Sequence, residues 1–316
     1  MLYQKLNKKN SKRRINKMTI TLDNELLSNL TNSVISQMST TPSARLRTVM
    51  ECAVRHLHAF AIETKLTPEE WLTGIAFLTA AGQMSSSDRQ EFILLSDTLG
   101  LSTIVNLLQD GSGLVQATES SLLGPFYRNN APSYQVGESM ARRCNGPQLQ
   151  LYGRILSTEG NPIPNATVQI WQTDSEGVYD IQRGSEMDTR GVYTTDENGY
   201  YHALTVMPKS YPLPSDGPVR RMLNAQSRHG NRPAHIHFLI SAPEHKELVT
   251  ALYVAGDRYI DDDTVFGVSS ARLIATPSLD NNAPHPEIPT ICYDFHLVAG
   301  VAEGGRVGAD VATLKY

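Results

Sequence analysis

Two histidines one residue apart form the clearest chemical signal in the sequence. His235 and His237 lie in residues 232–238, where apolar residues alternate with them as in a β-strand. Side chains two positions apart on a strand point to the same face, so both imidazoles would project together. This spacing suits two ligands of one metal ion, and a pair of ordinary strand histidines is the alternative that the segment alone leaves open.

A second pair with the same spacing has a different interpretation. His56 and His58 lie in a segment whose apolar residues recur every three or four positions, as in an amphipathic helix. Helical residues two apart point about 200° away from each other. We therefore interpret these two histidines as ordinary helix residues.

Tyrosines are the best candidates to complete a metal shell around His235 and His237. The sequence has no His-Glu-x-x-His motif and no cysteine pair, whereas its second half is rich in tyrosine. A phenolate is a hard, anionic ligand, so two histidines and two tyrosines would suit Fe(III) better than Zn(II). Gly-Val-Tyr occurs twice, ending at Tyr179 and Tyr193, and spacing alone does not choose between them. Tyrosine is also an ordinary strand residue.

Helical signals dominate the first third of the chain, about residues 20–112. Apolar positions in residues 46–61 follow one helix face. Thr67 and Glu70 form a capping box at the start of the next helix, and Ser87 with Gln90 has the same pattern. Gly100 and Gly111 are typical of helix ends.

The pattern changes after Gly111 to short alternating runs between turns rich in glycine, proline and asparagine. Such runs occur at residues 149–153, 168–170 and 291–297. Regular short strands with polar turns predict a β-sandwich or barrel-like core.

Composition sets outer limits on function. The 316 residues have a net charge of −4 and three widely spaced cysteines, which excludes a disulfide scaffold and gives no general attraction to nucleic acid. No apolar stretch is long enough for a membrane helix. We therefore expect a cytoplasmic protein that neither binds nucleic acid nor inserts into a membrane.

A basic leader stands apart from this acidic chain. Residues 1–17 carry seven basic side chains and no acidic one. A nucleic-acid arm or a targeting segment is possible for such a leader, but the segment has no apolar run and little serine or alanine. We interpret it as a disordered tail, or as an extension upstream of a functional start at Met18.

Three segments resemble the intradiol ring-cleaving dioxygenases: residues 171–179, 208–212 and 232–238. The resemblance extends over nearly all of residues 20–300. In addition, residues 211–219 and 259–267 are most similar to hydroxyquinol 1,2-dioxygenases, with catechol 1,2-dioxygenases second.

The sequence patterns and the resemblance together predict an α+β fold in three parts. These are a disordered leader at residues 1–17, a helical dimerisation module at 18–112, and a mainly antiparallel β-sandwich catalytic domain at 113–316. The resemblance also implies a homodimer formed through the N-terminal helices, with a phospholipid as a candidate ligand between them.

The implied activity is the cleavage of hydroxyquinol (benzene-1,2,4-triol) by O₂ to 3-hydroxy-cis,cis-muconate or maleylacetate. Catechol or chlorocatechol cleavage to cis,cis-muconate is the alternative. A non-catalytic transthyretin-like binding module is a more remote one. A zinc hydrolase would need a carboxylate base that is missing near the histidine pair.

The resemblance also assigns roles to individual residues. One Fe(III) per subunit would be held by Tyr179, Tyr211, His235 and His237, and Tyr211 would also accept a proton from the substrate. Arg232 would lie beside the bound diol and stabilise its developing negative charge.

Substrate preference is expected from the pocket walls, where Asp97 is of most interest. A carboxylate there can accept a hydrogen bond from a third ring hydroxyl, or Asp97 can be a solvated helix residue. Ala251 replaces a glutamine of catechol-type relatives, and Lys209-Ser210 is more polar than their equivalent. The full set of predicted wall residues is Leu94, Asp97, Leu123, Gly124, Pro125, Phe126, Leu213, Pro214, Arg232 and Val265.

Overall fold

The structure is a computed structural model that describes residues 25–86, 89–110 and 116–300. The predictions for the leader at 1–17, the start at Met18, the cap at Ser87, the helix end at Gly111 and the domain boundary at 112/113 lie outside these residues. Six helices occur within the described parts: α1, which includes residues 25–36, α2 (Ala44–Thr64), α3 (Pro68–Met84), α4 (Glu91–Thr98), α5 (Leu101–Asp110) and α6 (Pro218–Ala225).

Eleven strands follow the first five helices. They are β1 (Gln148–Ser157), β2 (Thr167–Gln172), β3 (Arg190–Thr194), β4 (Tyr200–Val206), β5 (Tyr211–Pro212), β6 (Asn231–Arg232), β7 (His235–Ser241), β8 (Leu248–Val254), β9 (Ile274–Ala275), β10 (Thr290–Cys292) and β11 (Phe295–Leu297).

The strands form two main sheets and one short ribbon. In the first sheet, β1 pairs antiparallel with β4 and parallel with β10 and β11. The second sheet has the order β3-β2-β7-β8-β9, in which only the β8–β9 pair is parallel. Strands β5 and β6 form the ribbon. The predicted α+β fold, helical at first and then a mainly antiparallel sandwich, is confirmed.

Local sequence signals explain the helix ends. The Oγ1 of Thr67 accepts from the Glu70 amide at 3.2 Å, and the Thr67 amide donates to the Glu70 carboxylate at 2.9 Å, which confirms the predicted capping box. Helix α4 ends at Thr98, before Gly100 in the left-handed conformation at φ 74°. Gln90 precedes α4 without making a side-chain cap.

The chain divides into two compact units, with the break between Ala76 and Phe77. In the first unit, α2 has no buried residue, and its apolar side chains Leu57 and Phe60 are 65% and 53% exposed. In the second unit, α4 contributes Leu94 to an apolar cluster with Leu122, Leu213, Val219, Leu223 and Val265. Helix α4 therefore packs against helix α6 and against loops of the β region.

The core of the β region lies between the two sheets. The first sheet contributes Leu149, Leu151 and Ile155 from β1, and the second contributes alternating residues of β2 and β7. Ile236, Phe238 and Ile240 of β7 are all fully buried in this core. A shift of β7 by one residue would turn all three of these side chains out of the core. Their burial therefore fixes the direction in which the side chains on the opposite face of β7 point.

Gly153 allows the last strands to approach β1 closely. A Cβ at this position would lie 2.0 Å from the carbonyl oxygen of Tyr293, in the link between β10 and β11. Only glycine fits this contact, since backbone atoms cannot move away as a flexible side chain can.

No single helix in the described residues is long and apolar enough to cross a membrane. Helices α4 and α5 reach that length and hydropathy only when they are counted together, across a 77° bend.

Gly153→Ala is expected to lower the free energy of unfolding by about 2–4 kcal/mol, because its Cβ would displace the Tyr293 backbone. Gly74→Ala is the matched control, since nothing lies within 4 Å of a Cβ there. In helix α3, that change should raise stability by about 0.5–1 kcal/mol. Denaturant unfolding followed by circular dichroism measures both, and a neutral Gly153→Ala would contradict the close approach.

Candidate active site

Strand β7 brings two imidazoles together on the face opposite the core. His235 and His237 are 1% and 2% exposed, and their Nε2 atoms lie 3.0 Å apart. His235 Nδ1 lies 2.7 Å from the carbonyl oxygen of Pro233, which holds the ring in place. The alternation in the sequence predicted this shared face correctly.

Two tyrosines converge on these imidazoles, Tyr179 from a loop and Tyr211 from strand β5. Tyr179 lies directly before a short 3₁₀ helix at Asp180–Gln182, and its hydroxyl is 3.5 Å from His235 Nε2. The rings of Tyr179 and Tyr211 meet edge to face with centroids 5.3 Å apart, and the Tyr211 ring is 5.7 Å from that of His235.

Gly177 makes the approach of the two tyrosine segments possible. It has φ 84°, and a Cβ there would lie 2.9 Å from the carbonyl oxygen of Ser210. Tyr193, at the end of the second Gly-Val-Tyr sequence, lies elsewhere in the core, where its hydroxyl donates to the carbonyl of Glu138. Geometry therefore separates the two tyrosines that spacing left equivalent.

Burial controls the charge of these four groups. Loss of hydration raises the pKa of Tyr179 and Tyr211, with the positive charge of Arg232 acting in the opposite direction. It lowers the pKa of both histidines, and Arg232 lowers these further. Both imidazoles are therefore neutral at physiological pH, the form that binds metal ions.

The donor atoms fit a single metal ion. Two ligand atoms at about 2 Å from one ion and at right angles to each other lie about 3 Å apart, which is the separation of the histidine Nε2 atoms. Among the described residues, no group of three or more His, Cys, Asp and Glu side chains could hold an ion. A complete shell here would therefore need the two phenol oxygens, and that mixed set suits a hard, trivalent ion.

Arg232 is buried beside the imidazoles and forms an ion pair with Asp263. Its Nε and Nη2 donate to the two Asp263 oxygens at 3.2 and 3.1 Å, and Nη2 also donates to the Tyr253 hydroxyl at 3.3 Å. Nη1 lies 3.0 Å from His235 Nε2. The charge of Arg232 is thereby fixed at the edge of the candidate metal site.

Aromatic rings support the site from both sides. The Trp171 ring stacks on His237 with an interplanar angle of 6°, and Phe126 stacks on Tyr179 with ring centroids 4.4 Å apart. Sequence reasoning missed Trp171, Tyr253 and Asp263 as site residues. Trp171 and Asp263 lie in segments that carry the family resemblance, which was the one available signal for them.

The predicted wall residues gather around the same site. Leu94, Pro125, Phe126 and Pro214 line a cavity of about 340 Å³, which Arg89 and Glu91 also border. Leu213 and Val265 are buried in the cluster that holds Leu94, and Leu123 packs against the cluster of Trp171, Tyr179 and Tyr211. A Cβ at Gly124 would lie 3.5 Å from His237 Nε2.

A larger cavity of about 640 Å³ is bordered by Val178 and Asp180, the chain neighbours of Tyr179. It contains none of the four converging side chains, and its Asp174 carboxylate is already bonded to Arg183 and to two backbone amides. The four side chains do not line the smaller cavity either, but Phe126 does, and its ring stacks on Tyr179. We therefore place the candidate active site beside the smaller cavity.

Asp97 is buried, so the alternative of a solvated helix residue is wrong. It is 3% exposed, and burial raises its pKa to about 6, with Ser102 and Arg232 opposing the rise and Asp263 adding to it. A carboxylate in this environment is an acceptor held close to the charged pair. Ala251, the departure noted in the sequence, is fully buried and pairs with His237 across β7 and β8.

Comparisons with known proteins agree with this geometry. The family model "Dioxygenase" matches residues 122–299, and "Catechol dioxygenase N terminus" matches residues 43–113. The chain is 44% identical over 247 residues to a 6-chlorohydroxyquinol 1,2-dioxygenase of Cupriavidus pinatubonensis, which covers 78% of this chain and 89% of that protein. It is 39% identical over 261 residues to a hydroxyquinol 1,2-dioxygenase of Corynebacterium glutamicum, covering 82% and 86%.

A solved structure shows the same fold. The hydroxyquinol 1,2-dioxygenase from Pseudomonas putida superposes with a TM-score of 0.79 at 38% identity, covering 87% of this chain and 99% of that one. The resemblance predicted from the three sequence segments is thus confirmed: the chain belongs to the intradiol ring-cleavage dioxygenases.

Proposed function

We propose that this enzyme cleaves hydroxyquinol with O₂, using one Fe(III) per subunit, to give 3-hydroxy-cis,cis-muconate or its tautomer maleylacetate. The observation that carries the proposal is the convergence of two phenols and two imidazoles in one buried cluster beside Arg232. The names of the relatives support hydroxyquinol as the substrate, and catechol or chlorocatechol is the alternative.

The metal would be held by Tyr179, Tyr211, His235 and His237, in keeping with the general dependence of this family on non-haem iron. Bound Fe(III) would chelate the two adjacent hydroxyls of the substrate and make the ring reactive toward O₂. All four side chains are 3% exposed or less. The protein therefore excludes bulk water from the place where the ring would be opened.

Tyr211 is suited to accept a proton from the substrate. Burial raises the pKa of the Tyr211 phenol above its ordinary value, so a Tyr211 oxygen that is not held by the metal would bind a proton tightly. The proton lost by one substrate hydroxyl can thus be held on Tyr211 Oη. Arg232 keeps its charge throughout and stabilises negative charge that develops on the ring oxygens.

Asp97 is the residue to which we assign recognition of the third hydroxyl. With a pKa of about 6 it is mostly ionised at neutral pH and can accept a hydrogen bond. A buried acceptor that stays unpaired is costly, so a substrate without the third hydroxyl would be disfavoured. Leu94, one turn earlier on α4, would contact the face of the ring.

We further propose a homodimer formed through the N-terminal helices, as is typical of the family, with phospholipid as a candidate ligand of that interface. The exposed apolar side chains of α2, including Leu57 and Phe60, support this proposal. A contiguous apolar helix face is more often covered by a partner than left in water.

Oxygen uptake tests the activity directly. With hydroxyquinol, catechol and chlorocatechols assayed in parallel on iron-loaded enzyme, we expect kcat/KM to be largest for hydroxyquinol. The resting protein should absorb visible light through charge transfer from tyrosinate to Fe(III). Faster turnover of catechol would make the enzyme a catechol 1,2-dioxygenase, and a colourless iron-loaded protein would overturn the ligand assignment.

Tyr179→Phe and Tyr193→Phe form a matched pair, since each removes a buried hydroxyl after Gly-Val. Tyr179→Phe should abolish the visible band or shift it strongly, lower the iron content, and reduce kcat by at least about 100-fold. Tyr193→Phe should cost about 1 kcal/mol of stability through its lost hydrogen bond and leave the spectrum unchanged. Equal spectra for both variants would refute the assignment of Tyr179.

Asp97→Asn should lower kcat/KM for hydroxyquinol about 10- to 100-fold, and that for catechol much less. The amide keeps the size of the carboxylate and weakens it as an acceptor. Equal losses for the two substrates would show that Asp97 does not recognise the third hydroxyl.

The same variant should reveal the cost of burying Asp97. The native pKa of about 6 exceeds the ordinary value of 3.8, so the native state binds this proton more tightly, and the contribution of Asp97 to wild-type stability falls as pH rises from 4 to 7. In iron-free protein, the stability gained by Asp97→Asn should therefore grow over this range, by up to about 3 kcal/mol. A difference that is independent of pH would contradict the raised pKa.

A further inference from the structure

We propose that Asp263 and Tyr253 are positioning residues that orient Arg232 so that its Nη1 faces the substrate. The inference rests on the proposed placement of Arg232 beside the bound diol. Neither Asp263 nor Tyr253 contacts the donor atoms of the candidate metal ligands. Both would act on the substrate through the guanidinium of Arg232.

The ion pair between Arg232 and Asp263 is a two-point contact in one plane. Oδ1 accepts from Nε at 3.2 Å and Oδ2 accepts from Nη2 at 3.1 Å, and both residues are less than 8% exposed. Two parallel hydrogen bonds fix the rotation of the guanidinium plane, which a single bond would leave free.

The Tyr253 hydroxyl accepts the second hydrogen bond that Arg232 Nη2 can donate. This hydroxyl lies 3.3 Å from Arg232 Nη2 and 2.9 Å from the hydroxyl of Ser121, which in turn donates to the carbonyl of Gly267 at 3.2 Å. Three of the five guanidinium donors are thus used by the protein on the side away from the site. The two donors of Nη1 are not used by Asp263 or Tyr253, and Nη1 lies 3.0 Å from His235 Nε2, on the side of the candidate metal site.

The surrounding backbone is built to fit this network. Asp263 also accepts from the amides of Val265 and Gly267, so the same carboxylate holds the loop that carries Val265, a predicted wall residue. A Cβ at Gly267 would lie 2.6 Å from Arg232 Nη2 and 2.6 Å from the Tyr253 hydroxyl. No side chain fits there without displacing the guanidinium.

A fixed guanidinium matters more in the transition state than in substrate binding. Negative charge on the ring oxygens grows as the reaction proceeds, and a donor that is already oriented needs no reorganisation at that moment. Loss of orientation should therefore appear mainly in kcat. Binding of the substrate to the iron should change little.

The test compares Asp263→Asn and Tyr253→Phe with Arg232→Gln and with Tyr193→Phe as the control. Iron content and the resting visible spectrum establish that the site is intact in each variant. Anaerobic titration of the visible band with hydroxyquinol gives the dissociation constant, and oxygen uptake gives kcat. We expect Asp263→Asn to lower kcat about 10- to 100-fold and Tyr253→Phe about 3- to 10-fold, with dissociation constants within about threefold of the wild type.

A double-mutant cycle separates positioning from a general structural effect. If Asp263 acts through Arg232, adding Asp263→Asn to Arg232→Gln should lower kcat by less than about threefold. Multiplicative losses would overturn the proposal. If Asp263→Asn does not fold, the near-isosteric Tyr253→Phe still tests the proposal. The loss of kcat that Tyr253→Phe causes should also vanish in the Arg232→Gln background.

The outcomes also separate this proposal from the one on which it rests. Full kcat in Arg232→Gln would refute the role of Arg232 itself. A large loss in Arg232→Gln with wild-type kcat in both Asp263→Asn and Tyr253→Phe would leave Arg232 in its role and refute the positioning network.

Discussion

A guanidinium that is 2% exposed must find its hydrogen-bond acceptors inside the protein, and Arg232 finds them in Asp263 and Tyr253. Breaking such a buried pair is costly, because it leaves a charge without solvent or partner. The other titratable groups of the site respond to this charge. Burial lowers the pKa of His235 and His237, the charge of Arg232 lowers it further, and the same charge opposes the effect of burial on Tyr211. The site therefore places two neutral imidazoles beside one fixed cation, whose charge is paired with Asp263.

Short connections in the chain explain how these groups are held. The β5–β6 ribbon pairs Tyr211 directly with Arg232, and β7 begins three residues after Arg232, so that His235 and His237 follow on a rigid strand. The opposite face of β7 is locked into the core between the sheets. Tyr179 arrives on a separate turn, and its distance from Tyr211 depends on the contact that Gly177 permits. Tyr211, Arg232 and the two histidines are thus held by neighbouring strands, whereas Tyr179 is brought to the site by packing.

This division also explains what could be predicted from the sequence. Alternation placed the two histidines on one face, and the capping box at Thr67 and Glu70 was correct, because both depend on residues a few positions apart. The choice of Tyr179 over Tyr193 came from family resemblance, because spacing contains no information about which loop reaches the strand. The burial of Asp97 and its proximity to Arg232 depend on how α4 packs against the β region, which no local pattern encodes. Likewise, the amphipathic pattern of α2 predicted a helix without indicating what covers its apolar face.

The pairing of β1 with the last strands has a consequence for the order of folding during synthesis. Gln150 pairs with Thr290, 140 positions later, and the link between β10 and β11 closes over Gly153. Contacts of such long range form slowly and are unavailable to a nascent chain until its final strands leave the ribosome. All four proposed iron ligands have been synthesised by His237, whereas one edge of β1 stays unpaired until residues 290–297 follow. A chain paused between these points would carry its metal-binding side chains in a domain with an open sheet edge, the state most exposed to pairing with another chain.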